Sequence, residues 1–493
     1  MIVSSSTVAD APQKGFFGHP RGLSTLFFTE MWERFSYYGM RAILAYYLYA
    51  AVSEGGLGIP ESTALSVVGI YGASVYMTGV VGGWLADRVM GAQSAVFYGG
   101  VVIMFGHICL ALPGGVATVV LGLVLLVIGT GLLKPNVSGL VGGLYSEEDT
   151  RRDAGFSIYY MGINLGGFLA PLVAGTLGER VGWHWGFGAA AVGMALGLVQ
   201  YTYGRKYLGS AGAGPVNPLP AEHKGRVLGR AVGIGVAFVV VLGGLTVSGV
   251  LGLEGLVNVI SVISAVLPVV YFVVMLSSKQ ITKVERDRLL AYIPLFLATA
   301  LFFLLFEQQP NTLANLAEAD TQLDVFGFEV PASWFQSINS LTIIILAPVM
   351  AALWMKLGNR QPNTPQKFVG GVFFVGAAFL WVVLSKVVAG GDKHLPLMLA
   401  LVFVIMTVGE LMLSPVGLSA STKLAPKVFA SQTMGLYFLA PAMGQGLGAQ
   451  LVKAYSVDNQ EVYFGIVGVA TIACAVLLLV FSKSIKRYMH GVL

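Results

Sequence analysis

The chain alternates between long apolar runs and short polar or Gly/Pro-rich breaks. The runs are continuous and about twenty residues or longer, not strictly alternating, so they predict membrane-crossing helices rather than barrel strands. Six runs lie at 23–50, 62–88, 94–114, 117–144, 156–178 and 182–205. The stretch 209–220, rich in Gly and Pro, then predicts a linker. Two plain runs follow, 226–250 and 256–277, with no charge in their middles. A charged connector at 279–288 leads to six more, at 289–309, 334–356, 367–389, 395–422, 430–454 and 460–483. The arrangement is fourteen spans in the order six, two, six. It predicts a tail at 1–22, a six-helix bundle at 23–205, a linker at 206–225, two inserted helices at 226–278, a connector at 279–288, a second bundle at 289–485 and a tail at 486–493.

Composition supports this reading. The 493 residues are 56% apolar and 11% charged, with mean hydropathy +0.78, where a soluble domain carries about 25% charged residues. This predicts an all-α polytopic membrane protein, and the 64 glycines suit close helix packing. With the N-terminus on the cytoplasmic side, 22 of the 29 Lys and Arg fall in cytoplasmic segments. Only Arg180, Lys386, Lys393 and Lys453 fall outside, and the other three are within spans. That bias predicts an inner-membrane protein with both termini cytoplasmic and accounts for the net charge of +5 without nucleic acid. Cys109 and Cys474 lie in apolar runs without ligand-like neighbours, so no disulfide, metal or redox site is expected. Residues 1–22 lack an apolar core, so no cleaved leader is expected and the first span would target the chain.

Two six-helix halves are the plan of the large two-bundle transporters, whose substrates bind between the halves near the midplane. The segment from Gly82 to Gly91, Gly-Gly-Trp-Leu-Ala-Asp-Arg-Val-Met-Gly, resembles the signature between spans 2 and 3 of the major facilitator superfamily. Its Asp87 and Arg88 are expected to make charge-assisted bonds to neighbouring helix ends, as a structural or gating element.

Charge inside a span is costly and marks function or a packing ion pair. Seven such residues stand out: Glu30, Glu33, Arg34, Arg41, Lys134, Glu307 and Glu410. Glu30, Arg34, Tyr37/Tyr38 and Arg41 recur every three to four residues and share one helical face. Four carboxylates face three cations, which leaves one group to take up a proton. Uncharged polar candidates are Tyr37, Tyr38, Tyr71, Tyr76, Tyr159, Tyr160, Asn164 and Asn339, for which interhelical bonds or interfacial anchoring are alternative roles. His107 reads as a packed core histidine.

The pattern Glu30-x-x-Glu33-Arg34-Phe35-x-Tyr37-Tyr38-Gly39 resembles the signature of the proton-dependent oligopeptide transporter (POT/PTR) family. So do Lys134-Pro135-Asn136-Val137, the segment Phe156 to Gly166, Phe306-Glu307-Gln308, and Gly409-Glu410-Leu with Ser414-Pro415-x-Gly417. The resemblance covers essentially the whole chain, and bacterial members carry two extra helices between the bundles. It implies a major facilitator fold and proton-driven uptake of di- and tripeptides, with the proton as coupling ion and no cofactor. It further implies that Arg34, Lys134 and Tyr38 hold the peptide carboxylate, and that Glu410, Asn164 and Asn339 hold its ammonium. Arg41 and Glu307 would form a proton-sensitive pair, Glu30 and Glu33 would couple protonation to Arg34, and Tyr37, Tyr76 and Trp334 would line the pocket. Phe303 stands where the family often has Trp, and the run Gln308-Gln309-Pro310-Asn311 is not the commonest form. Span 2 has no histidine, so a histidine-based proton step is not expected. The expected partners are short peptides and the bilayer, with a monomeric protein. Competing readings are transport of another anion or zwitterion, such as nitrate or an amino acid, and a peptide sensor that does not transport. No Ser/His/Asp, metal-ligand or paired-Asp constellation points to an enzyme.

Overall fold

The computed structural model describes residues 15–146 and 149–491; Lys14, with the rest of the tail at 1–14, lies outside the described residues. Backbone amides in a bilayer must bond within their own segment, and the apolar runs accordingly fold as helices. Among the described residues these are α1 (Gly22–Tyr49), α2 (Glu61–Leu85), α3 (Ala92–Ala111), α4 (Gly115–Gly143), α5 (Arg152–Ala170), α6 (Trp183–Gly204) and α7 (Ala221–Val247). They continue as α8 (Gly252–Ser277), α9 (Lys283–Phe306), α10 (Ser337–Leu357), α11 (Thr364–Val388), α12 (Pro396–Lys423), α13 (Ala430–Leu451) and α14 (Gln460–Tyr488). Ten of them, with their short extensions, are long and apolar enough to cross a membrane by composition. α1 is not one of the ten, because it carries Glu30, Glu33, Arg34 and Arg41.

Three local features depart from the sequence expectation. First, α9 ends at Phe306, so Glu307 caps the helix instead of lying inside it, and its N–H donates to the Phe303 carbonyl at 3.0 Å. Second, the loop before α10 holds a two-stranded hairpin, Asp324–Val325 against Phe328–Glu329, in an otherwise helical chain. Phe326 and Gly327 both have positive φ, 56° and 81°, as a tight hairpin turn requires, and the Gly327 N–H donates to Asp324 Oδ1 at 2.8 Å. Third, Asp87 and Arg88 sit on a π-turn, Ala86–Met90, and their side chains make no ion pair or hydrogen bond among the described residues. Their backbone carbonyls instead accept the N–H groups of Asn217 and Leu219, each at 3.0 Å, which ties the linker to this turn.

The chain forms two compact units. Unit 1 comprises the chain up to Ile43 and Met77–Leu256; unit 2 comprises Leu44–Tyr76 and Val257–Leu493. The far end of α1 and the start of α2 thus belong to unit 2. Tyr46 Oη donates to the Ala314 carbonyl at 3.0 Å and Ser66 Oγ to that of Ala449 at 2.8 Å.

In unit 1, small residues let α5 approach α1. Gly162, Gly166, Ala170 and Ala174 recur every four residues and form one small-residue face. A Cβ on Gly162 would lie 2.9 Å from Phe27 Cδ2, and one on Gly166 would lie 3.1 Å from Arg34 Cβ and hard against the Met31 carbonyl. A Cβ on Gly39 would likewise lie 2.9 Å from Ala174 Cβ. In α4, Pro135 has no N–H to give the Gly131 carbonyl. Gly82 of α2 packs directly on that carbonyl, and the Asn136 amide donates to the Leu132 carbonyl at 2.7 Å. In unit 2, Gly371 and Gly409 bring α11 and α12 together, a Cβ on Gly409 falling 2.9 Å from the Gly371 carbonyl.

Candidate functional site

Among the described residues, the buried charges inside the spans gather in one polar cluster in each unit, apart from the Asp320–Lys386–His394 group at the loop end of unit 2. In unit 1 it is centred on Arg34, 3% exposed. Its Nε donates to Glu33 Oε2 and lies 3.3 Å from Glu30 Oε1. The guanidinium carbon lies 4.9 Å from the Tyr37 ring and 5.8 Å from the Tyr38 ring, cation–π distances at which a desolvated site gains most. Arg41, one turn further on, donates from Nη1 to Tyr37 Oη at 3.2 Å, so Tyr37 contacts both guanidiniums. Lys134, half-buried on α4, is close enough to attract Glu30 electrostatically. Two carboxylates and two cations therefore balance around Arg34, with Arg41 beside them. Arg34 Nη2, Glu30 Oε2 and Glu33 Oε1 are buried and without a hydrogen-bond partner among the described residues. A buried donor left in this way is costly, and it is a donor that an entering acceptor can take.

Asn164, on α5, is buried and gives its Nδ2 to the Tyr160 carbonyl at 2.9 Å. Its Oδ1 is an acceptor, the polarity that an ammonium requires. Tyr159 is a neighbour whose part in the cluster the sequence did not define. It is 5% exposed, its Oη is 3.5 Å from Ser138 Oγ of α4, and it interacts electrostatically with Glu30 and Arg34.

In unit 2 the cluster is centred on Glu410 of α12. Asn339 of α10 donates from Nδ2 to Glu410 Oε2 at 3.1 Å and to Thr407 Oγ1 at 2.9 Å. Thr407 gives its own proton to the Phe403 carbonyl at 2.7 Å, which leaves it as the acceptor for Asn339. Sequence reasoning passed over Thr407; its place three residues before Glu410, on the same helical face, was the available signal. Glu307 is buried and interacts with Glu410 electrostatically. Gln308, next in the run, accepts from Tyr463 Oη at 2.7 Å and Thr312 Oγ1 at 2.8 Å, so this part of the motif holds the turn after α9. Trp334 lies on a 3-10 turn before α10 with its ring 6.0 Å from Phe328, and Tyr76 is half-buried at the end of the α2 segment that belongs to unit 2. In Ser414-Pro415-x-Gly417, Gly417 gives room to the Tyr437 ring, whose Oη donates to the Ser414 carbonyl at 3.1 Å.

Residues 93–469 match the profile of the family described as PTR2, POT family. The chain belongs to the POT family. Among POT-family and other relatives, it is 49% identical to the uncharacterized transporter YclF of Bacillus subtilis (strain 168), covering 100% of this chain and 99% of that one. It is 43% identical to a di-/tripeptide transporter of Lactococcus lactis subsp. cremoris, covering 97% and 98%. The crystal structure of a peptide transporter POT in complex with sulfate superposes with a TM-score of 0.93 at 54% identity, covering 98% of each chain. The POT fold is a major facilitator fold, and the fourteen long helices fit it.

Proposed function

We propose that this POT-family chain is a proton-coupled symporter that imports di- and tripeptides by alternating access. The observation that carries this reading is the state of Arg34, whose guanidinium is held by two carboxylates while Nη2 remains unpartnered. A peptide carboxylate can take Nη2 and, with Lys134, complete a bidentate, charge-assisted contact. It also adds a negative charge to a cluster that is already balanced. In a desolvated site that excess is removed most cheaply by a proton on Glu30 or Glu33. Substrate and proton then enter together, which is the requirement for symport. Glu410 and Asn339 supply the pole for the peptide ammonium, and Asn164 Oδ1 is a further acceptor of the polarity it needs. Tyr37, Tyr38, Tyr76 and Trp334 supply aromatic walls that accept varied side chains. Arg41 and Glu307 act as the proton-sensitive gate. Relatives described as di-/tripeptide transporters support the same substrate class.

The proposed placement is a bacterial-type inner membrane with both termini cytoplasmic, two six-helix bundles and the α7–α8 pair between them. The protein works as a monomer and uses the proton as its coupling ion, without a cofactor. Uptake of labelled dialanine into proteoliposomes with an inside-alkaline gradient tests the reading. Accumulation above equilibrium that collapses with a protonophore is expected. Folded protein that gives none would overturn symport, and accumulation of nitrate or a free amino acid in place of dialanine would overturn the substrate class.

A further inference from the structure

We infer that unit 2 binds an anionic phospholipid of the cytoplasmic leaflet in a groove between α9 and α14. The groove has a volume of about 550 Å³ and is lined on one side by Leu290, Leu297 and Leu301 and on the other by Leu477, Phe481 and Tyr488. These residues recur at helical spacing and form two facing apolar stripes. From Leu290 to Leu301 the groove runs about 16 Å at a rise of 1.5 Å per residue. One leaflet offers about 15 Å of hydrocarbon, so an acyl chain lying along the groove matches it.

Charge at one end selects the headgroup. α9 begins and α14 finishes at the same end of the groove, where His490 Nε2 meets Asp287 Oδ2 at 2.9 Å. Lys283, Arg286 and Arg288 on α9 and Lys483, Lys486 and Arg487 on α14 surround this end. None of the six makes an ion pair among the described residues, and Arg288 Nε is buried without a partner. The two acids nearby are already engaged. Glu285 closes the capping box with Thr282 and also accepts the Lys427 N–H at 3.0 Å, while Asp287 holds His490. The collar is therefore net cationic toward an incoming phosphate, and each basic residue near a membrane surface contributes about 1 kcal/mol to anionic lipid attraction, roughly fivefold in affinity. The groove supplies the apolar half of the recognition and the collar the anionic half. That this end faces the cytoplasm rests on the orientation proposed above.

Cys474 lines the deep end of the groove and gives a probe position. With Cys109→Ser removing the other thiol, bimane on Cys474 is followed in liposomes of phosphatidylcholine containing 10 mol% brominated phosphatidylglycerol. The same label at Val469→Cys, in a chain also carrying Cys474→Ser, reports bulk lipid at an exposed position outside the groove. Quenching at Cys474 severalfold above that at position 469 is expected, lost when brominated phosphatidylcholine is used. The excess should also fall severalfold in Arg286→Gln/Arg288→Gln. In Ser484→Trp, which fills the groove near its basic end, native mass spectrometry of the unlabelled protein should show one retained phosphatidylglycerol fewer. Equal quenching at the two positions, or no preference for the anionic lipid, would overturn the site. Protection of Cys474 from both lipids would mean that a second copy or another protein segment covers the groove, and would overturn it too. None of these readouts depends on transport. Orientation is scored apart: if Lys279→Cys reacts with an impermeant maleimide from outside intact cells, the cytoplasmic assignment fails while the lipid preference still stands or falls on quenching.

Discussion

Gly166→Ala tests whether the α5 contact sets the position of Arg34. In an exposed helix interior, alanine in place of glycine stabilises by about 0.5–1 kcal/mol through backbone entropy. At Gly166 the new methyl would meet the Met31 carbonyl and lie 3.1 Å from Arg34 Cβ. The methyl meets backbone there, well inside any normal contact distance, so α1 and α5 must separate by roughly an ångström. Overpacking of this kind costs about 1–3 kcal/mol, which offsets the entropic gain and leaves a net loss of up to about 2.5 kcal/mol. Gly188 on α6 supplies the control, because a Cβ there meets nothing within 4 Å. Gly188→Ala should raise the unfolding midpoint in detergent, and Gly166→Ala should lower it. The displaced backbone carries Arg34, so dialanine affinity should also fall about tenfold in Gly166→Ala, equivalent to about 1.4 kcal/mol, and stay unchanged in Gly188→Ala. If the two variants unfold alike and bind dialanine alike, the α1–α5 contact does not position Arg34 and the packing argument is wrong.

Glu33→Gln should abolish proton-driven accumulation while dialanine counterflow persists, because Arg34 keeps Glu30 at 3.3 Å and the cluster stays folded; normal accumulation would remove Glu33 from the coupling role. Lys134→Ala and Glu410→Ala should each lose driven uptake, read in the same liposomes. Lys386→Met leaves Asp320, which accepts from Lys386 Nζ at 2.6 Å, without its partner cation; the pair is partly solvated, so a loss of about 1–3 kcal/mol in unfolding is expected. His394, in the turn between α11 and α12, faces Gln460 Oε1 at 3.1 Å, Ser385 Oγ at 2.5 Å and Asp320 Oδ2 at 3.7 Å, with Lys386 and Glu461 nearby. Burial holds its pKa below the ordinary 6.5, so the folded chain binds fewer protons there than the unfolded chain. Its contribution to stability is therefore present above about pH 6.5 and lost as pH falls below it, and His394→Gln should flatten the unfolding midpoint between pH 7 and pH 5.

Helices were legible because a bilayer allows few alternatives, and charges inside them were legible because each must have a reason. Less visible was how the chain makes room for those charges. Nothing in the hydropathy pattern separates Gly166 from Gly188, yet one admits α1 to van der Waals contact and the other faces open space. The small residues at 162, 166, 170 and 174 carry the signal only once their partner helix is known. Thr407 was hidden for a similar reason: a threonine inside an apolar helix usually bonds its own backbone, as this one does through its hydrogen. Its oxygen then becomes the acceptor that shares the Asn339 amide with Glu410. Asp87 and Arg88 show the reverse error, since two charges in a recognisable motif suggested side-chain bonds where the backbone carbonyls make the contacts. At Arg34 the two kinds of information meet. Sequence supplies Glu30, Arg34 and Arg41 on one helical face with Glu33 adjacent to Arg34, and packing at Gly166 fixes where the guanidinium starts. The burial of Nη2 without a partner follows from both together. An exposed arginine in the same sequence pattern would satisfy that nitrogen with water, and a peptide carboxylate would gain little by replacing it. Buried as it is, the same N–H gains most of a charge-assisted bond when the carboxylate arrives. The cost of the unpartnered donor in the resting site is thereby recovered only when substrate binds.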